Sequence, residues 1–234
     1  MSFEKFTMSP NRFRIDRFTH VFWDFDGVIK DSVEVKSNAF EALFRPHGAG
    51  LASRVREHHE RNGGVSRYEK IPLYLGWAGV PVSIPVVEEY CRRFSELALQ
   101  NVIESPWVPG VREYLEQHYE RQYFVVVTAT PQKEIEEILH RLGIGGYFHE
   151  AYGAPTSKSA AVGAVMLRSN VARDQVLMIG DAETDVTAAR ENGIAFLLRR
   201  TPLNRHLQAG DGLHLCDDFT PWAGVQARVA TQEN

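Results

Sequence analysis

From Arg112 onward, short runs rich in β-branched residues alternate with segments of helical period, and this alternation constrains the chain more than any other feature. Tyr123 to Val127, Phe148 to Gly153, Val176 to Ile179, Ala195 to Leu198 and Leu213 to Leu215 read as strands. Between them, Ile135, Ile138, Leu139 and Leu142 mark the apolar face of one helix, with Thr130 as the expected cap and Pro131 in the first turn. Ser157 to Leu167 reads as a small-residue helix, and Ala188 and Ala189 allow a further one to pack closely. Apolar strands separated by helices predict a parallel sheet covered on both faces. The expected fold class is α/β.

An earlier stretch, His20 to Ser32 (HVFWDFDGVIKDS), supplies one more strand and puts charge at its end. Side chains alternate along an extended segment, so Asp24 and Asp26 face away from Phe25 and toward each other's reach. In that position one acid can attack while the other moves a proton. Gly27 lets the backbone turn away and leaves the space open.

From Glu34 to about Ser105 the period changes to that of helices. Phe40, Leu43 and Phe44 share a face, and Val87, Tyr90, Cys91, Phe94, Leu97 and Ala98 repeat at intervals of three and four. Turn signals at Gly48 to Gly50 and Asn62-Gly63-Gly64 separate these helices, and Pro106 and Pro109-Gly110 close the segment. This is the pattern of a compact all-helical insert. Residues 1–18 carry mixed charge and scattered Phe, a lead-in whose aromatics pack on the domain edge and which offers no chemistry.

With 44% hydrophobic residues in 234, the chain can bury a core and a smaller satellite. A net charge of −4 provides no global field for nucleic acid, so an anionic ligand must be held by local cations or metal. Cys91 and Cys216, the only two cysteines, exclude a disulfide framework and read as buried small hydrophobes of a reducing compartment. No apolar run reaches the roughly 18 residues of a membrane span, and the N-terminus has no signal-peptide pattern. The expectation is a cytoplasmic protein, monomer or homodimer, acting on a small molecule.

In a parallel sheet, functional groups gather at the carboxyl ends of the strands. Here those positions hold Asp24 and Asp26, then Thr128, Lys158, and Asp181 with Asp185. The two acids of GDAETD are four apart, and a helix starting near Ala182 turns both toward one point. A few carboxylate oxygens suit Mg2+, which keeps several waters and takes one or two protein carboxylates plus a phosphate oxygen.

DFDGVIKDS, VVVTAT, Lys158 in GAPTSKSAA and MIGDAETDVTAARENGI resemble, in order and spacing, the four motifs of the haloacid dehalogenase superfamily of phosphatases. The resemblance covers residues 20–200 and is nearest to the phosphoglycolate phosphatase and β-phosphoglucomutase branch. It implies a Rossmann-like core of residues 19–33 and 106–234 with residues 34–105 inserted as a helical cap. It also implies hydrolysis of a small phosphate ester, with Asp24 as the nucleophile that forms an aspartyl phosphate. Asp26 would give a proton to the leaving oxygen and later take one from water, so it should arrive protonated, a state favoured by crowding among carboxylates. Asp24, Asp181 and the backbone carbonyl of Asp26 would hold Mg2+, with Asp185 as a further or supporting ligand. Thr128 and Ala129 would hold phosphoryl oxygens, and Lys158 would neutralise Asp24 and the phosphoryl group. One divalent ion and Lys158 together balance the charges of Asp24, Asp181 and Asp185.

Asp26 argues against dehalogenase and phosphonatase chemistry, since those enzymes lack an acid at its position. The turn Gly63-Gly64-Val65-Ser66-Arg67 resembles the substrate loop of β-phosphoglucomutase, which makes Arg67 a candidate for gripping the substrate, with Lys36 as its rival. A phosphosugar mutase is therefore an alternative. Two departures weigh against it: Lys36 stands where that mutase has its hinge His, and Asp185 completes the phosphatase form of the motif. A catalytically idle module of the same fold is the non-enzymatic alternative. Lys30 is a further uncertain cation, while His58 and His59, being adjacent, face apart and read as surface residues.

Overall fold

The computed structural model describes residues 13–210 and 213–224. Six parallel strands lie in the order β3-β2-β1-β4-β5-β6. They are β1 (His20–Trp23), β2 (Tyr123–Pro131), β3 (Glu150–Ala154), β4 (Val176–Gly180), β5 (Ala195–Arg199) and β6 (His214–Cys216). β1 is central, with Trp23 level with Val126 of β2 on one side and Ile179 of β4 on the other. This register brings the carboxyl ends of all three strands to one edge, so that groups far apart in sequence meet there.

Alternation along the strands divides the core between the two faces. Val21, Trp23, Phe124, Val126, Leu177 and Ile179 enter one apolar cluster, together with residues of α5 (Val111–His118) and α6 (Gln132–Arg141). Phe22, Val125, Val127, Val176 and Met178 enter the other, with α7 (Lys158–Ser169) and α8 (Glu183–Asn192). Both faces of β2 and β4 are covered, which is why these strands read as continuous apolar runs. Of the lead-in, residues 1–12 lie outside the described residues, while Phe13 and Phe18 are buried in the first cluster.

Four helices, α1 (Val33–Phe44), α2 (Ala49–Arg61), α3 (Arg67–Trp77) and α4 (Ile84–Glu104), lie between β1 and α5 and bury a cluster of their own. At its centre are Phe40, Phe44, Ile71, Tyr74, Cys91 and Phe94. The return from α4 into the sheet unit is fixed by Lys30. Its Nζ donates to the carbonyl of Ile103 at 3.0 Å and lies 4.7 Å from the centre of the Trp107 ring. Lys30 thus fastens the connection between the helices and the sheet and does not serve as a site cation.

One boundary differs from expectation. β2 continues through an irregular pairing to Pro131, and α6 starts at Gln132 without a side-chain cap. Thr130 precedes a proline, which disfavours helical backbone there. Its hydroxyl is then free for another partner, described next.

Candidate active site

The carboxyl end of β1 opens into a cavity of about 340 Å³, a size suited to a small ligand. Asp24, Asp26, Lys158 and Asp181 line it from the sheet side, and Phe40 and Arg67 line it from the helices. Phe25, between the two acids, is fully buried in the core, as alternation demands.

Asp24 is 3% exposed. Its Oδ1 accepts the backbone N–H of Phe25 at 2.8 Å and lies 2.9 Å from Nζ of Lys158. Lys158, the first residue of α7, is also 2.6 Å from Oδ1 of Asp185 and so joins two buried acids. The second oxygen of Asp185 accepts the N–H groups of Asp181 at 3.3 Å and Ala182 at 3.0 Å, closing the first turn of α8. Gly180 permits this arrangement, because a Cβ there would meet the Cβ of Asp185 at 2.3 Å. Gly27 does the same for Asp181, whose Oδ2 would lie 2.2 Å from an added Cβ.

Asp24, Asp181 and Asp185 each offer an oxygen within 4.8 Å of the others. Burial, with Asp185 adding to it against the pull of Lys158, pushes the Asp24 carboxyl up to about 7. Burial, then Asp24 and Asp185, raises Asp181 well above the usual carboxylate range. Lys158 is raised because Asp185 and Asp24 outweigh the effect of its own burial. Three carboxylates around a single ammonium are short of positive charge, and the donor set of oxygens alone matches Mg2+. The residues present fit such an ion. Asp185 has both oxygens engaged within the protein, which suits it to orienting the loop more than to direct ligation.

Asp26 departs from expectation. Burial raises its carboxyl, but the Lys36 ammonium beside it and hydrogen bonds from Lys36, Ser32 and Thr130 outweigh burial and hold it below its ordinary value. Ser32 Oγ donates to Asp26 Oδ1 at 2.7 Å, Thr130 Oγ1 lies 3.2 Å from Oδ2, and Lys36 Nζ pairs with the same oxygen. Lys36 also donates to Thr130 Oγ1 at 2.8 Å. Asp26 still acts on Asp24 and Asp181 through its charge, but crowding does not prevail at Asp26 itself, where Lys36, Ser32 and Thr130 favour the charged form.

Thr128 is buried, and its hydroxyl accepts the N–H of Thr130 at 3.2 Å, with Ala129 lining the cavity between them. Arg67 is not a free cation. Its guanidinium makes a two-point pair with Glu134 of α6, NH1 to Oε2 at 2.8 Å and NH2 to Oε1 at 2.6 Å, and touches Ser95 Oγ at 2.6 Å. His59 is buried at 8% exposure, contrary to the surface reading, and His58 bonds the Tyr74 hydroxyl at 2.9 Å.

Sequence reasoning missed Ser32, Thr130, Glu134 and Asn204. Ser32 stands just before α1, where a serine reads as a cap, and Thr130 has the same ambiguity at α6. Glu134 looks like any acid in a first helical turn. Asn204, 4% exposed, holds the carbonyl of Asp181 at 2.8 Å from a loop with no local signal of it.

The model of the haloacid dehalogenase-like hydrolase family matches residues 21–198. A phosphorylated carbohydrates phosphatase of Thermotoga maritima is 30% identical over 74% of this chain and 81% of its own length. A phosphoglycolate phosphatase of Pseudomonas fluorescens is 28% identical, over 74% of this chain and 66% of its own. Among solved structures, β-phosphoglucomutase from Clostridium difficile superposes with a TM-score of 0.70 at 18% identity, covering 88% of this chain and 93% of the other. A haloacid dehalogenase-like protein of Streptococcus pneumoniae gives 0.59 at 19% identity, covering 86% and 95%, and both likenesses bear on the fold alone. With its sheet order, its acids at the end of β1 and a family match running from the first strand to the fifth, the chain belongs to the haloacid dehalogenase-like hydrolase family and is an enzyme.

Proposed function

We propose that this enzyme is a phosphatase that hydrolyses the monoester of a small phosphorylated metabolite, of the sugar-phosphate kind, through a phosphoryl group carried on Asp24. The observation that carries the reading is the buried Asp24 carboxylate, oriented by the Phe25 N–H and Lys158, with Asp26 two residues on in the same cavity. The name of one curated relative, a phosphorylated carbohydrates phosphatase, supports the sugar-phosphate class, and that of another, a phosphoglycolate phosphatase, supports a small phosphorylated metabolite. No observation favours the mutase alternative over it.

In the first half-reaction an oxygen of Asp24 attacks phosphorus, the bond to the leaving oxygen breaks, and Asp26 supplies that oxygen with a proton. In the second, water attacks the phosphoryl group, Asp26 takes the water's proton, and Asp24 and inorganic phosphate are released. The Lys36–Asp26 pair is the basic form that the second half requires. The acid form needs Lys36 to turn toward another anion, and an arriving phosphoryl group is one. Lys158, fixed by Asp185, offsets charge on Asp24 and the transferring group, while the Thr128 hydroxyl and the Ala129 N–H would hold phosphoryl oxygens. Asp24, Asp181 and the Asp26 carbonyl would hold Mg2+, with Asp185 in support. When bound, Mg2+ supplies charge neutralisation of the phosphoryl oxygens. The four helices α1 to α4 serve as a cap that closes the cavity over the leaving group.

The test is Asp24→Asn. Turnover of any monoester should fall by several orders of magnitude, and no phosphoryl-enzyme should be trapped by acid quench, while the fold stays intact. Substantial turnover in that variant would overturn the covalent route.

A further inference from the structure

Lys70 of α3 is a buried lysine without an acid. It is 2% exposed, and its Nζ lies 3.0 Å from Nδ1 of His59 on α2. Among the described residues no carboxylate pairs with it, whereas Lys36, Arg67 and Lys158 around the same cavity each have one. Even Glu60, next to His59, is tied to Arg56 at 2.9 Å. Burial without a partner works against charge on this lysine, and an anion arriving from outside would hold the charge there.

His59 connects Lys70 to the cavity. Its ring lies against Phe40 with centroids 4.7 Å apart, and both residues line the cavity that holds Asp24 and Asp26. With Lys70 donating to Nδ1, the neutral ring carries its proton on Nε2, which has no hydrogen-bond partner among the described residues. Burial, then Lys70 and Lys36, keeps His59 well below the usual imidazole range, so the ring stays neutral. The cap wall therefore presents an N–H donor backed by a lysine.

We propose that His59, positioned and polarised by Lys70, receives a second anionic group on the substrate's leaving alcohol, a carboxylate or a phosphate. This rests on the phosphatase reading above and narrows it to monoesters whose alcohol carries an anion of its own, such as a phosphorylated hydroxy acid or a bisphosphorylated sugar. His59 touches the leaving group, and Lys70 acts through it.

The test uses the full chain with Mg2+ and two matched pairs of monoesters. The carboxylate arm compares 2-phosphoglycolate with 2-hydroxyethyl phosphate, and the phosphate arm compares 1,3-propanediol bisphosphate with 3-hydroxypropyl phosphate. The wild-type enzyme should prefer the anionic member by at least tenfold in kcat/KM in one arm, and that arm identifies the anion. In Lys70→Met and in His59→Phe, which keeps a ring against Phe40, the preference should fall by tenfold or more. Lys70→Met removes an unpaired charge, so its melting temperature should be equal or higher, which separates loss of recognition from loss of fold. Hydrolysis without preference in either arm, or equal losses on both members of a pair in the variants, overturns this inference alone. No hydrolysis of these four esters or of p-nitrophenyl phosphate overturns the phosphatase reading, and this one with it.

Discussion

Arg67, the first residue of α3, and Glu134, in the first turn of α6, form a buried two-point ion pair that ties the helical unit to the sheet unit. Arg67 is 5% exposed and Glu134 9%, and Arg67 also lies 4.4 Å from the centre of the Phe94 ring, so the pair is shielded from water and salt. Removing one partner leaves a buried charge uncompensated, at a cost of about 3–5 kcal/mol. Arg67→Ala should therefore lower kcat/KM by a similar factor for every monoester, aryl phosphates included, and lower the melting temperature as well. The paired replacement Arg67→Met with Glu134→Leu should recover much of the stability. Parallel kinetics on a metabolite and on p-nitrophenyl phosphate check it: a loss confined to one substrate would return Arg67 to substrate binding.

The contrast between Arg67 and Asp24 shows what could be read from the sequence. Asp24 and Asp181 stand where strands end and Thr128 where the regular pairing of β2 stops, and such a point is legible from a local run of apolar residues that breaks off. Once the sheet is parallel, its topology brings those ends together without further information. Arg67 belongs to a turn whose local sequence suggests a ligand-binding cation, but its partner lies 67 residues later on a helix of the other unit. No periodicity reports such a pair. His59 fails for a related reason: adjacency to His58 shows that the two diverge, not which of them meets Phe40. Asp26 failed on electrostatics, because its protonation is set by Lys36, ten residues on, whose side chain reaches back only in the folded chain.

The charge imbalance among Asp24, Asp181 and Asp185 predicts metal dependence. Activity should vanish in EDTA and return with Mg2+, while Ca2+, which is larger and takes more ligands, should support little. A binding readout separates ligation from catalysis. Mg2+ at a hundredfold excess over its Kd should stabilise the fold by about 2.7 kcal/mol, and Asp181→Asn should abolish that gain. A melting temperature indifferent to Mg2+ would remove the metal from the site.

Lys70 makes stability depend on pH in an unusual direction. Burial first, with Lys36 adding to it and Glu69 opposing, lowers its folded value to about 7 from 10.5. Between those limits the unfolded chain holds the proton and the folded one does not, so stability rises with pH across that window, by up to about 1.4 kcal/mol per unit from this group. Below pH 7 the slope from Lys70 disappears, since both states are protonated. Urea unfolding at pH 7 and pH 9, with Lys70→Met beside the wild type, isolates the contribution. The variant should show the shallower rise, and identical slopes would mean that Lys70 keeps its proton on folding.

The seating of the helical unit on the sheet unit turns on Gly64. Its φ of +76° is left-handed, and a Cβ there would meet Thr184 Oγ1 at 1.9 Å and Ala182 Cβ at 3.2 Å. The turn between α2 and α3 thus rests on the loop that carries Asp181, and only a residue without a side chain permits that approach. Gly64→Ala should cost about 1–2 kcal/mol in backbone strain. It should also lower kcat/KM by about tenfold or beyond for every monoester, because the turn must lift away from the Asp181 loop. Thr184 Oγ1 is buried without a hydrogen-bond partner among the described residues, so deleting it carries little penalty. In the double variant Gly64→Ala/Thr184→Ala, the closest contact is gone while the left-handed strain remains. Activity should then recover most of the way toward wild type while the melting temperature stays depressed. If the second change restores nothing, the turn acts through its own backbone conformation and not through its contact with the Asp181 loop.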